Sequence, residues 1–470
     1  MDYQYDLLVI GAGPGGYVAA IRAAQLGLKT AVAERRDVGG TCLNRGCIPT
    51  KSMMHAADLY HETASFDVLG LSAENVSFDM AKIQARKNDV VLKLRTGVEQ
   101  LFKSGGITHL AASAAILDPH RVKISPIDGS ESYEITVKNI LIATGSNPQT
   151  PPVEGKHLPG VITSDELLSM DTMYDHLIVT GAGVIGMEFA SMYNAFGKEV
   201  TIMASRDRIL PKVDKEIAQN LSMIFKKRGI KIITKARLKK ITQEEDGKLR
   251  CWYQDGDNFE SVVGDGVLLA SGRSANTEGL FGEGFSIEMN DNGSIAVDKQ
   301  FKTSVDNIYA IGDVVPGMQL AHVASAQGIV VVEQLAGHKP SIELSVVPDC
   351  IYTNPEIACT GLTEVEAKEK GIKVKTAKAS MMANGKSLLS LQERGFIKVI
   401  YDEENDCIVG AQLMCARATD MINEFSTAIV NKLSKAQMQA VIRPHPTFGE
   451  AVTEAVDELD GLAIHIAHKK

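Results

Sequence analysis

The chain has 470 residues, 44% of them hydrophobic, and a formal net charge of −9. That length exceeds what one hydrophobic core serves, so two to four domains are expected. The acidic balance argues against non-specific nucleic-acid binding. No apolar run reaches about 18 residues, so no membrane span is expected either.

The first strand-like run begins at Tyr5, which leaves no room ahead of it for a charged signal region. A cytoplasmic protein is therefore expected, where a disulfide is more often catalytic than structural. YDLLVI, residues 5–10, ends in Gly11-Ala12-Gly13-Pro14-Gly15-Gly16, then a helical pattern and a second strand, KTAVAE. This is a βαβ unit with G-x-G-x-x-G at its first turn. Gly11 permits the tight turn, Gly13 lets a pyrophosphate approach the backbone, and Gly16 lets helix and strand pack. The helix N-terminus offers N–H groups and partial positive charge to phosphate. Glu34 closes the second strand, 23 residues after Gly11, where an acid can bond a ribose hydroxyl.

GGTCLNRGCIPTK, residues 39–51, follows at once and holds two of the seven cysteines. A metal site, a structural disulfide and a redox pair compete to explain Cys42 and Cys47. Structural zinc usually takes two short-spaced pairs, and no second pair of that kind is present. The other five cysteines are scattered and read as small buried hydrophobes. The redox reading has positive support. Cys47 stands just before a helical pattern over 50–60, with Pro49 suited to its first turn. A helix N-terminus, with Lys51 about a turn away, favours the thiolate.

Further along, ILIATGSNPQTPPVEG, 140–155, is a strand running into a Gly/Pro-rich connection. The βαβ grammar then returns: LIVT, Gly181-Ala182-Gly183-Val184-Ile185-Gly186, a helical stretch and the strand EVTIMA. Two such units in full context imply two dinucleotides. VLLASGRSANTEGL, 267–280, and NIYAIGDVVPG, 307–317, are strand-to-loop stretches, and an amphipathic helix is expected over about 322–337. From about Val346 strands and helices continue without a phosphate loop. The expected class is α/β: two Rossmann-like dinucleotide-binding domains plus a C-terminal α+β dimerisation domain. The expected division is 1–147, 148–272, 273–345 and 346–470; the family resemblance given next implies FAD and the redox disulfide for the first, NAD(P) for the second, completion of the FAD site for the third and dimerisation for the fourth.

The 39–51 loop resembles the redox-disulfide signature of the flavoprotein pyridine nucleotide–disulfide oxidoreductases, and within them most resembles the dihydrolipoyl dehydrogenases. The resemblance covers essentially the whole chain. TSVDNIYAIGD, 303–313, is similar to the family's second flavin fingerprint, LAH, 320–322, to its segment along the flavin ring, and ATGS, 143–146, to the turn packed near it. RPHPTFGE, 443–450, resembles the C-terminal histidine–glutamate motif. The resemblance implies FAD held by Gly11, Gly13, Gly16, Glu34, Thr41, Lys51, Thr144, Gly145, Ser146, Asp313 and Ala321. It implies NAD or NADP held by Gly181, Gly183, Gly186 and Gly272, with Ala204, Ser205 and Arg206 standing where the family's ribose acid would be. Cys42 becomes the outer interchange thiol, Cys47 the inner thiol against the flavin, and Lys51 and Glu188 an ion pair. By residue type alone Glu188 reads equally as a solvent-facing helix acid.

His445 alone would be an ordinary surface histidine. Thiol–disulfide exchange, however, needs a group that takes and returns protons near neutral pH, and Glu450 can orient the ring. The family resemblance implies that this histidine comes from the second subunit of a homodimer with a shared active site. It also implies a lipoyl-bearing partner from a 2-oxoacid dehydrogenase or glycine-cleavage system. No metal is expected.

The second phosphate loop departs from the first. The position 23 residues after Gly181 is Ala204, followed by Ser205 and Arg206. No carboxylate is there to repel a 2′-phosphate, Ser205 can donate to one and Arg206 can pair with it. Arg206 reads equally as a plain surface arginine, so NAD and NADP both stay open. The competing functions are an NADPH-dependent glutathione-type or other low-molecular-weight disulfide reductase, mercuric reductase, a flavin transhydrogenase and a structural subunit. The tail AIHIAHKK lacks the cysteine pair mercuric reductase would carry. The two cysteines with His445 argue against the last two.

Overall fold

The computed structural model describes residues 2–255 and 258–467, so the last three residues of the tail lie outside it. The chain forms two compact units. One comprises Met1–Asp175, Lys240–Arg250 and Val263–Leu344, the other His176–Lys239, Cys251–Val262 and Ser345–Lys470.

In the first unit, β1 (Tyr5–Ile10) runs parallel between β2 (Thr30–Glu34) and the strand Tyr133–Ile142. Ile308–Ala310 adds a parallel strand beyond Tyr133–Ile142, and Thr108–Asp118 one beyond β2. Side chains alternate across a strand, and here both faces are covered. Leu7 and Val9 pack with Ala19, Ala20 and Val331, while Leu8 and Ile10 pack with Ile116, Ile124 and Val137. That is why LLVI, residues 7–10, is apolar throughout instead of alternating. Each buried Leu, Ile or Val side chain there contributes about 1.5–3 kcal/mol.

Helix α1 (Pro14–Gln25) follows the first glycine turn and packs against the helix Ala321–Leu335. Glycines set the closeness of that crossing: a Cβ on Gly328 would stand 2.7 Å from the Gly15 carbonyl oxygen. Arg22 of α1 reaches the buried Glu333 across the same crossing at 2.7 Å. Burial pushes the Glu333 carboxyl up. Hydrogen bonds from Arg22 and from Ser341 outweigh burial and hold it below the usual glutamate value. A depressed carboxylate stabilises the fold above its unfolded pKa, and that stability is lost as pH falls through the folded value. Arg22→Ala is expected to cost about 2–4 kcal/mol at neutral pH by stranding a buried charge. In that variant acid unfolding should begin at higher pH than in the parent. Thermal melts across pH check this; coincident curves would mean the pair contributes nothing.

In the second unit, His176–Thr180, Glu199–Met203 and Lys231–Ile233 form parallel strands. The helix Val184–Ala195 is buried continuously from Gly186 to Tyr193. Residues 345–470 add a five-stranded antiparallel sheet, in the order Asp349–Ile351, Glu356–Gly361, Cys407–Cys415, Phe396–Asp402, Val374–Ser380. The helices Ala418–Val430 and Glu450–Asp457 close its core through Ile422, Phe425, Val452 and Val456. Among the described residues no helix is long and apolar enough to cross a membrane.

Candidate functional site

The glycine turn after β1 is fitted to its surroundings with little room to spare. Gly11 adopts φ +100°, and a Cβ there would lie 2.4 Å from the Ala143 carbonyl oxygen. A Cβ on Gly16 would strike the Gly11 oxygen at 1.8 Å. Glu34 ties the turn to the end of β2, accepting from Ala12 N–H and Arg36 N–H, each at 2.8 Å. A cavity of about 140 Å³ opens at this acid, lined by Gly11, Glu34, Arg35, Thr144 and Asn276. Thr144 Oγ1 is buried with no hydrogen-bond partner among the described residues, and α1 starts at Gly13 without a side-chain cap. A helix start with unmet donors, an orphaned hydroxyl and a walled ribose acid together fit a bound dinucleotide.

The thiol segment is built onto that turn. Gly39 N–H donates to the Ala12 carbonyl at 2.8 Å, and a Cβ on Gly40 would stand 2.5 Å from Gly13 Cα. The loop expected around Cys42 is instead a helical turn, α2 (Gly40–Arg45), and α3 (Cys47–Glu62) begins at the second cysteine itself. Gly46 joins them. Its carbonyl accepts from Thr50 N–H and Thr50 Oγ1, at 3.0 and 2.7 Å. Cys47 thus occupies the first turn of a 16-residue helix, where the dipole favours a thiolate. The thiols of Cys42 and Cys47 are hydrogen-bonded to each other. That bond first, then burial, raises the Cys42 thiol, while the Lys51 charge pulls it down. Burial, and secondarily the Cys42 charge, raises the Tyr17 phenol of α1.

Side chains without a conspicuous motif hold this segment. Asn44 Nδ2 donates to the Val38 and Gly40 carbonyls at 3.0 and 2.9 Å. Asp37 bridges Arg45, at 3.1 Å, and Arg95, at 2.7 Å. Charges spaced this widely in sequence carry no local signal.

Ser146 and Asp313, expected from separate motifs, meet at 2.6 Å, Ser146 Oγ donating to Asp313 Oδ2. Gly145 accepts from Asn276 N–H at 2.9 Å, and Ala321 is the first residue of its helix. In the second unit, Gly181 and Gly186 repeat the first turn: a Cβ on Gly186 would meet the Gly181 oxygen at 2.1 Å. Gly183 takes the uncapped helix start. The two turns can be superposed by their bonds. Gly11 N–H donates to Ala33 and Gly181 N–H to Met203, at 2.8 and 3.0 Å. Ala204 therefore occupies the place of Glu34, and it is buried. Ser205 and Arg206 are exposed beyond it, and the Arg206 carbonyl accepts from Lys235 N–H at 2.8 Å. Gly272 is in the first unit, its carbonyl accepting from Gln149 N–H at 2.9 Å.

Glu188 is not a solvent-facing acid. It is 3% exposed, and its Oε1 accepts from Tyr352 N–H at 3.0 Å. The helix containing it is apolar nearly all round, so no polar face leads to water. Near the C-terminus, His445 Nδ1 lies 2.9 Å from Glu450 Oε1, and Thr447 N–H donates to Glu450 Oε2 at 2.8 Å. Burial raises the Glu450 carboxyl, but the Thr447 and His445 hydrogen bonds lower it further, leaving it below the usual value. An ionised Glu450 on Nδ1 fixes the tautomer and leaves the exposed His445 ring free at Nε2. A second imidazole–carboxylate pair, His465 Nδ1 with Glu454 at 2.8 Å, lies one turn along the same helix.

Residues 5–328 match the family model for pyridine nucleotide-disulphide oxidoreductases, and 347–456 match the dimerisation domain of that family. The chain belongs to the pyridine nucleotide-disulphide oxidoreductases. As such it is a flavoprotein oxidoreductase that takes FAD and a nicotinamide dinucleotide. It is 41% identical to a dihydrolipoyl dehydrogenase of Bacillus subtilis over 99% of this chain and all of the relative. It is 39% identical to one from Geobacillus stearothermophilus over 99% and 98%. LpdA from Mycobacterium tuberculosis superposes with a TM-score of 0.90 at 27% identity, over 96% of this chain and 99% of that one. The HOCl-induced flavoprotein disulfide reductase RclA of Escherichia coli does so at 0.85 and 29%, over 96% and 99%.

Proposed function

We propose that this oxidoreductase oxidises protein-bound dihydrolipoyl groups to lipoyl, passing the electrons through Cys42 and Cys47 to NAD or NADP. The observation that carries the reading is the contacting thiol pair, split between two helical turns and built directly onto the first dinucleotide loop. Full-length likeness to dihydrolipoyl dehydrogenases supplies the substrate class.

In the oxidised enzyme the two sulfurs form a disulfide. A substrate thiolate attacks Cys42 Sγ, the S–S bond breaks, and Cys47 leaves as a thiolate favoured by its helix start. The second substrate thiol, losing its proton to His445, attacks its own sulfur in the mixed disulfide. Cys42 leaves as a thiolate that takes that proton back from His445, and the substrate departs as a cyclic disulfide. Substrate has lost two electrons and the cysteine pair has gained them. Glu450 holds the imidazole for this transfer. FAD, when bound, supplies the two-electron sink between the cysteine pair and the nicotinamide. Gly11, Gly13, Gly16, Glu34, Thr41, Thr144, Gly145, Ser146, Asp313 and Ala321 are the residues assigned to hold it. Lys51 and Glu188 are assigned as an ion pair near its reactive ring. Within a homodimer, His445 and Glu450 are assigned to the disulfide of the other subunit. The lipoyl group would arrive on an acyltransferase or glycine-cleavage carrier in the cytoplasm.

Purified protein should reduce NAD or NADP with dihydrolipoamide far faster than it reduces glutathione disulfide with NADPH. The reverse ranking would favour a low-molecular-weight disulfide reductase. The absent acid at Ala204 keeps NADP in play. Ala204→Glu should move preference toward NAD, since a carboxylate there accepts from a ribose hydroxyl and repels a 2′-phosphate. Arg206→Ala should weaken NADP more than NAD by about 1–3 kcal/mol. Unchanged NADP-to-NAD ratios in both variants would mark these positions as bystanders.

A further inference from the structure

Arg273 lies in the 267–280 stretch, where the sequence assigns it no role, yet in the first unit it is held by two hydrogen bonds to Ser146. Its side chain is 13% exposed. Nε donates to Ser146 Oγ and Nη2 to the Ser146 carbonyl, each at 2.7 Å. Ser146 Oγ–H in turn donates a hydrogen bond to Asp313 Oδ2 at 2.6 Å, and Arg273 Nε is itself 3.9 Å from that oxygen. The fork makes Ser146 a one-way relay. With the guanidinium donating to the oxygen, the single hydroxyl hydrogen is directed to Asp313, and the carboxylate is held by one oxygen.

We propose that Arg273 is a positioning residue for the flavin cofactor: acting through Ser146, it turns Asp313 so that Oδ1 is the oxygen presented to a ligand hydroxyl. Asp313 Oδ1 accepts no hydrogen bond among the described residues, whereas Oδ2 is committed. The strand pairing that delivers the guanidinium joins segments distant in sequence: Arg273–Ala275 runs antiparallel to Ser146–Pro148, with Ser146 opposite Ala275. Three segments far apart in sequence thus converge on one carboxylate. A charge-assisted chain of this kind is stronger than its neutral counterpart and fixes orientation as well as charge. The inference rests on the assignment of Asp313 to FAD.

The test is FAD affinity of the apoprotein, read by quenching of flavin fluorescence on reconstitution. Arg273→Gln should weaken binding about tenfold or more, and Ser146→Ala about threefold or more, each through loss of charge-assisted bonds that orient Asp313. In an Asp313→Asn background, Arg273→Gln should add less than about twofold, because the group it orients is gone. A residue that merely supports the fold would cost the same in both backgrounds. Equal losses in the two backgrounds, or parental affinity in Arg273→Gln, would overturn the proposal. If Arg273→Gln fails to fold, Ser146→Ala decides, and parental FAD affinity in that variant overturns it. A parent apoprotein that takes up no FAD would instead sink the cofactor assignment itself.

Discussion

His445→Gln is expected to slow dithiol oxidation by about two to four powers of ten, the usual worth of a positioned acid–base group. FAD content and the flavin–nicotinamide half-reaction should stay near parental, because neither needs thiol exchange. The geometry makes the effect specific to the ring. Glu450 engages Nδ1 at 2.9 Å with one carboxylate oxygen while Thr447 N–H holds the other at 2.8 Å. Glu450→Gln should therefore cost less than His445→Gln, since an amide can still accept at Nδ1 but no longer stabilises the imidazolium. The acid limb of the pH profile follows from the same pair. Glu450 is held below the usual carboxylate value, so it stays ionised until pH falls below the ordinary range. Stopped-flow reduction by dihydrolipoamide, paired with NADH-driven flavin reduction, separates the two half-reactions. If the site is shared between subunits, mixing Cys42→Ser with His445→Gln protomers should restore activity. In such a heterodimer one composite site keeps both an intact disulfide and an intact histidine. Heterodimers as inactive as their parents would place both groups on one chain, or remove His445 from the chemistry.

The second large effect separates the cysteines. Either Cys→Ser change should abolish disulfide exchange, yet the spectra should differ. Cys47→Ser should lose the long-wavelength thiolate-to-flavin absorbance on reduction, and Cys42→Ser should retain it in some form. Cys47 opens α3, whose N-terminal dipole favours its thiolate, while the Cys42 thiol is raised by its hydrogen bond to Cys47 and by burial. Equal bands in both variants would reverse the two roles.

The strand–turn–helix units were legible because their reason is local. A glycine at φ +100° against a carbonyl at 2.4 Å leaves a mark that any single sequence shows. The cysteine pair and the His445–Glu450 pair were legible as chemistry. The helical form of the Cys42 segment was not. GTCLNR is too short to nucleate a helix alone, and it is held by Asn44, Arg45 and Asp37 through contacts made only in the fold. Glu188 was ambiguous for a related reason, since burial on a helix apolar nearly all round leaves an acid's setting to tertiary packing. Arg273 was invisible because its partners, Ser146 and Asp313, lie 127 and 40 positions away. By contrast, the missing acid at Ala204 was found by counting alone. The matching backbone bonds of Gly11 and Gly181 then place it at the site of Glu34.

The central claim is that Cys42 and Cys47 carry electrons from a dithiol to the flavin. Anaerobic titration of the purified, oxidised protein with dihydrolipoamide tests it most directly. The first equivalent should open the disulfide, leaving the flavin oxidised with a long-wavelength band and making two thiols newly reactive to an alkylating reagent, on Cys42 and Cys47. Flavin bleaching with the first equivalent, without the band and without new reactive thiols at those positions, would contradict it.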